Sequence, residues 1–267
     1  MWSKTFKHIK FFFLLFSAAI NAEYQITVLA TNISNFGGFG EWSFSALYES
    51  DNESILFDTG FHEDTVLHNA KVLNKDLSKV NKVVLSHFHS DHTGGLIKLR
   101  KTFKDINKDA FSKVYVARGF FDQRYKKDGT KEGPGNFDDS LEFKKVAEEE
   151  GIKFIILDDY KMVAKNIYAT GTVDRKIEYY NGPKGLYIDK EFKVPDIIKD
   201  DQSVGMLTDK GWIMMSGCGH SGIINTAKKL QEIKDVPVYG AIGGFHLFQA
   251  DDNTCLLYTS DAADERR

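Results

Sequence analysis

The chain has 267 residues, 42% of them hydrophobic, and a formal net charge of −3. That length and apolar content build a buried core and exclude a disordered chain, while the mild acidity gives no support to nucleic acid or an anionic membrane as the main partner. With 2 cysteines there is no disulfide framework, so stability has to come from packing.

At the start of the chain, Lys4, Lys7 and Lys10 precede the apolar run FFFLLFSAAI (Phe11–Ile20), and small residues follow at Ala18, Ala19 and Ala22. This is the order of a secretory signal, and the run is too short to span a membrane in a mature protein. The expectation is a signal peptide over residues 1–22, cleaved after Ala22. The mature protein would then be secreted or periplasmic, with no stable membrane insertion; the alternative is an uncleaved anchor.

Residues 23–254 carry no internal repeat or low-complexity linker and read as one domain. Their first third is strand-like: YQITVLA (Tyr24–Ala30), SFSALYE (Ser43–Glu49) and SILFD (Ser54–Asp58) are short apolar or alternating runs between Gly and Asn clusters. A helix follows with Val66, Ala70 and Leu73 at helical spacing, then the buried-type strand KVVLS (Lys82–Ser86). The middle alternates: a strand near Tyr115, a charged helix over Leu141–Glu150, and strands near Phe154 and Ile167. Arg124–Phe137 is a Gly- and Lys-rich loop, either a lid or an exposed excursion. The last part predicts strands at Ser203–Thr208, Gly211–Gly217 and Val236–Gly244. Between the last two lies a helix with Ile223, Ile224, Ala227 and Leu230 on one face. Such an order predicts an α/β domain of two packed sheets with helices outside.

At the C-terminus, CLLYTSDAADE (Cys255–Glu265) matches a translated transposon mosaic end with sequencing adapter. Residues 255–267 are therefore expected to be a non-native tail after Thr254. Without the two ends, 30 basic residues face 35 acidic ones and Cys218 is the one cysteine left.

The chemistry concentrates in SHFHSDHTGG (Ser86–Gly95). In an extended segment alternate residues share a side, so His87 and His89 can grip one cation. Asp91 and His92, past a turn leading to a helix near Thr93, can face a second. Packing does not require such a composition, and imidazoles desolvated together without a cation are unfavourable. The ligand types suit zinc, with iron or manganese as alternatives. Gly94 and Gly95 let the backbone approach closely.

SHFHSDHTGG resembles the signature of the metallo-β-lactamase superfamily, and LFDTG (Leu56–Gly60) is similar to the motif that precedes it there. DDQSVGM (Asp200–Met206), SGCGHSGIINT (Ser216–Thr226), IGGFHL (Ile242–Leu247) and ATGTVDR (Ala169–Arg175) resemble a branch of that superfamily. The branch includes the dihydropterin-ribofuranosylaminobenzene-phosphate synthases of methanopterin biosynthesis. The resemblance covers about Tyr24–Leu247. The resemblance implies an αββα sandwich with two metals at one edge of the sheets, and ligands at His220 and His246 besides His87, His89, Asp91 and His92. His62 and His68 read as solvent-facing. Asp58 is similar to a residue that orients a metal ligand. Cys218 is either a bridging ligand or a small buried residue, and Asp200 and Asp201 either face the site or merely begin a strand. The branch also carries an HCTG-like motif and a last strand that this sequence lacks, so the domain is expected to be C-terminally incomplete.

The implied activity is metal-assisted hydrolysis of a small-molecule ester, lactone, amide or phosphoester. Two divalent cations would share a water and lower its pKa, with Asp91 holding the nucleophile. The alternatives are a transferase joining an arylamine to a pterin and a non-enzymatic metal-binding or sensing module.

Overall fold

A computed structural model describes residues 24–50, 53–179 and 185–247. The expected signal peptide (1–22) and non-native tail (255–267) lie outside the described residues. In chain order the elements begin with strands β1 Gln25–Ala30, β2 Ser45–Glu49 and β3 Ser54–Phe57, helix α1 Thr65–Val72 and strand β4 Lys82–Val84. Helices α2 Ser90–Thr93 and α3 Leu96–Phe103, then strands β5 Lys113–Ala117, β6 Arg124–Tyr125 and β7 Lys131–Glu132 follow. The chain continues with α4 Ser140–Glu149, β8 Lys153–Leu157, β9 Lys161–Ala164, β10 Ile167–Ala169, β11 Ser203–Thr208, β12 Gly211–Ser216, α5 Ile223–Ile233 and β13 Val238–Gly243.

One sheet has the order β1-β2-β3-β4-β5-β8 and the other β13-β12-β11-β10-β9. Their stacking follows from the two-residue period of a strand. Ala46, Tyr48, Ile55, Phe57 and Val84 point into the core shared by the sheets, where they meet Val204, Met206 and Met215. Their neighbours Leu47, Leu56 and Val83 point the other way, onto Val66 and Ala70 of α1, Leu96 and Leu99 of α3, and Phe143 and Ala147 of α4. On the second sheet Trp212 and Met214 turn outward to Leu230 of α5. With helices on both outer faces, the architecture is the expected αββα sandwich.

The strand directions position the site. β3, β4, β5 and β8 run parallel, and β3 pairs with β4 so that Phe57 faces Val84. Asp58, just past β3, and Ser86–His92, just past β4, therefore leave the sheet side by side. β12 and β13 are also parallel, ending together at Ser216 and Gly243, with Cys218, His220 and His246 just beyond. Every candidate ligand hangs from the carboxyl end of a strand, and the loops of both sheets meet at one edge.

Three sequence expectations need correction. The helix expected near Thr93 is split into α2 and α3 at Gly94–Gly95. A Cβ on Gly94 would lie 1.8 Å from the Phe61 carbonyl oxygen, so these glycines admit the backbone of residues 59–61. Arg124–Phe137 is not a plain loop, since β6 and β7 pair as a hairpin within it. On α5 the buried positions are Asn225, Thr226 and Leu230, with Ile223, Ile224 and Ala227 only partly covered. Asn225 is drawn inward by the crossing segment, accepting from Lys176 N and Ile177 N and donating to the Glu178 carbonyl.

Candidate metal centre

Asp58 anchors the site. Its backbone takes φ 56°, a left-handed conformation that aspartate tolerates better than most residues. The buried carboxylate accepts from Ser86 N at 2.6 Å, Ser86 Oγ at 2.8 Å and His92 Nδ1 at 2.7 Å. Burial raises its pKa, while His92 and the Ser86 donors favour the anion. Because the Ser86 hydroxyl proton goes to Asp58, its oxygen is left to accept from His87 Nδ1 at 2.9 Å. One carboxylate thus sets two tautomers, directly at His92 and through Ser86 at His87. Both rings then turn Nε2 toward the interior.

The rings converge there. His87 Nε2 lies 2.8 Å from His89 Nδ1. The His87 ring centroid is 4.5 Å from that of His92 and 4.7 Å from that of His220, and His220 and His246 are 4.7 Å apart. His92 Nε2 stands 3.1 Å from Cys218 Sγ and 3.4 Å from Asp91 Oδ2. Burial and mutual repulsion push His87 and His220 well below the usual imidazole range and His89 down to about 3. Burial also lowers His246. These rings are neutral and available as ligands. At His92 burial acts in the same direction, but Cys218, Asp58 and Asp91 together hold the ring well above its usual value. Burial raises Asp91, yet His92 and His89 outweigh it and leave the carboxyl below its ordinary range. The Cys218 thiol is pushed up by burial against the pull of His92.

Two donor sets emerge among the described residues, His87–Asp91–His92 and His87–Cys218–His220, each with ligand atoms within 4.8 Å of one another. Nitrogen, carboxylate and thiol donors together fit a divalent transition-metal ion. Beside the cluster, the buried Asp201 Oδ1 makes no hydrogen bond among the described residues and lies 3.9 Å from His87 Nδ1. Burial raises Asp201 to about 6, against the Ser221 donors.

All six expected ligand residues lie in or beside this cluster, with His246 at its rim. His62 is exposed, and His68 bonds the Gly37 carbonyl, away from it. Asp200 and Asp201 do more than begin a strand. Asp200 Oδ2 accepts from Phe88 N at 2.8 Å, and Asp201 Oδ2 accepts from Ser221 N at 2.7 Å. Gln202 N reaches the Ser86 carbonyl at 2.9 Å, so the three residues clip the loops of the two sheets together. Sequence reasoning missed Ser86, Gln202 and Arg124; for Gln202 the available signal was the polar run Asp200–Gln202 directly before an apolar strand, and Ser86 and Arg124 carried none. Above the cluster opens a cleft of about 730 Å³, bordered by His89, Ser90, Asp91, Trp42, Phe61 and the β6–β7 hairpin.

A metallo-β-lactamase superfamily model matches residues 43–108. The 7,8-dihydropterin-6-methyl-4-(β-D-ribofuranosyl)-aminobenzene-5′-phosphate synthase of Methanocaldococcus jannaschii is 32% identical over 203 residues, covering 74% of this chain and 67% of its own. An uncharacterized protein of the same organism is 34% identical over 239 residues, 86% of this chain and 82% of its own. In structure the chain is similar to a metal-dependent hydrolase of the β-lactamase superfamily. The TM-score is 0.68 at 26% identity, over 88% of this chain and 81% of that one. With relatives at 32% and 34% identity, each covered over two thirds of its length or more, and the superfamily model matching residues 43–108, the chain belongs to the metallo-β-lactamase superfamily.

Proposed function

We propose that the protein is a metal-dependent hydrolase of a small-molecule ester, lactone, amide or phosphoester. The observation that carries this reading is the placing of Asp91. It is an ionised carboxylate beside five clustered imidazoles, and it also borders the open cleft. His87, His89, His92, His220 and His246, with Asp91 and Cys218, would hold two divalent cations, zinc first, with iron or manganese as alternatives. Such an ion supplies Lewis acidity, lowering the pKa of a bound water and polarising the bond to be cleaved. The chain's own residues supply order. Asp58 and Ser86 hold the His92 and His87 tautomers, and Asp91 accepts a hydrogen bond from the attacking water and orients it toward the cleft. Its pKa below the usual range suits it to orient the water rather than to store a proton. The leader-like residues 1–22 support action outside the cytoplasm.

The synthase relative supports a second reading, transfer of an arylamine to a pterin. Purified protein loaded with zinc, manganese or iron is to be assayed with esters, lactones and phosphodiesters, and in parallel with a pterin diphosphate plus an arylamine phosphate. Hydrolysis is expected, with Asp91→Ala losing roughly 100-fold or more of the rate while remaining folded. Arylamine-dependent release of diphosphate, with no hydrolysis of the other substrates, would establish transfer instead. Metal binding without any turnover would leave a sensing module.

A further inference from the structure

Arg124 lies outside the ligand cluster, and its side chain is 1% exposed. All five of its N–H groups have acceptors. Nε donates to Asp196 Oδ2 at 3.0 Å, Nη1 to the carbonyls of Phe120 at 3.0 Å and Asp122 at 2.8 Å. Nη2 donates to the Gly119 carbonyl at 3.1 Å and to Asp200 Oδ1 at 2.7 Å. The guanidinium carbon also sits 3.6 Å from the centroid of the Phe88 ring.

A buried arginine needs one carboxylate for charge balance, and Asp196 meets that need. Asp200 does something further: its other oxygen accepts the Phe88 N–H at 2.8 Å, in the peptide that joins His87 to Phe88. Phe88 is therefore held twice, at its ring by the cation and at its backbone by the carboxylate that the cation orients. Arg124 also opens the β6–β7 hairpin, whose Lys126, Lys127 and Asp128 border the cleft.

We propose that Arg124 and Asp200 are positioning residues of the metal centre. They hold Phe88 so that the His87 and His89 rings converge, and they register the cleft-lining hairpin to the metal loop. The inference rests on the reading of His87 and His89 as ligands. A planar five-donor fork is required, and lysine cannot reproduce it.

The test compares the purified protein with Asp200→Asn, Arg124→Lys and Asp196→Asn; the last touches the same guanidinium but not the metal loop. Zinc affinity is read by competition with a chromophoric chelator, the cobalt-loaded visible spectrum reports ligand geometry, and urea unfolding of the metal-free proteins reports stability. Asp200→Asn and Arg124→Lys should bind zinc about tenfold or more weakly with an altered cobalt spectrum, while Asp196→Asn stays close to the parent. If Asp200→Asn does not fold, Arg124→Lys, which keeps the charge, carries the same comparison with Asp196→Asn. Parent-like zinc affinity in the folded variants overturns the proposal. So does an equal loss in Asp196→Asn, which would make the network a stability element alone. A parent protein that binds no zinc overturns the ligand assignment itself, and the positioning role with it.

Discussion

The buried Asp58 carboxylate governs two imidazoles at once, and the space around that relay is tight. A Cβ on Gly217 would lie 2.2 Å from Ser86 Oγ and 2.9 Å from Asp58 Oδ2. Gly217→Ala must therefore displace the hydroxyl that links Asp58 to His87. We expect it to weaken metal binding by about tenfold or more, the usual effect of disturbing a group that orients a ligand. Gly240→Ala, where an added Cβ meets nothing within 4 Å, is the matched control. Chelator competition measures both, and equal affinities would refute the relay. His87, His89, Asp91 and His92 were legible as candidate ligands because their spacing is hard to explain otherwise, whereas His220 and His246 were read from the resemblance. Ser86 was not, because a serine at the end of a strand has many uses, and only the parallel pairing of β3 with β4 sets it against Asp58.

Among the elements, α4 shows local rules at work. Its N-cap Asp139 accepts from Leu141 N at 2.9 Å, which satisfies an amide left open by the helix start, and from Lys131 Nζ of β7 at 2.7 Å. Lys131 above all, with the capped amides, holds this carboxyl down at about 2, below its ordinary 3.8. Removing the cap in Asp139→Ala should cost about 1 kcal/mol in urea unfolding at neutral pH. A carboxyl lowered on folding stabilises fully above its unfolded pKa and loses that contribution as pH falls toward the folded value. The difference between the two proteins should therefore shrink from about pH 4 down to about 2. A difference that holds constant over this window would reject the assignment. The charged periodicity of α4 is readable directly. The inward turn of Asn225 on α5 is not, because its partners at Lys176–Glu178 lie far away in sequence.

For the molecule as a whole, the candidate ligands come from loops of both sheets, so a bound ion cross-links them. Among the described residues no helix is long and apolar enough to cross a membrane, and the buried apolar side chains lie between the two sheets and under the outer helices. A ligand that binds only the folded state at about 100 times its dissociation constant adds about 2.7 kcal/mol. Chelation should therefore lower the melting temperature by roughly 5–10 °C, restored by added zinc. Scanning calorimetry with and without chelator checks this, and an unchanged melting temperature would remove the metal from the fold's stability. The αββα layering could be anticipated from alternating apolar residues and the superfamily signature, since strand period and ligand spacing are local properties of the chain. Where Asp200, Asp201, Gln202 and Arg124 lie against the candidate site, and which groups Asp58 holds, was decided only by tertiary structure. Each acts through a partner on another loop, and strand order and direction alone bring those loops together.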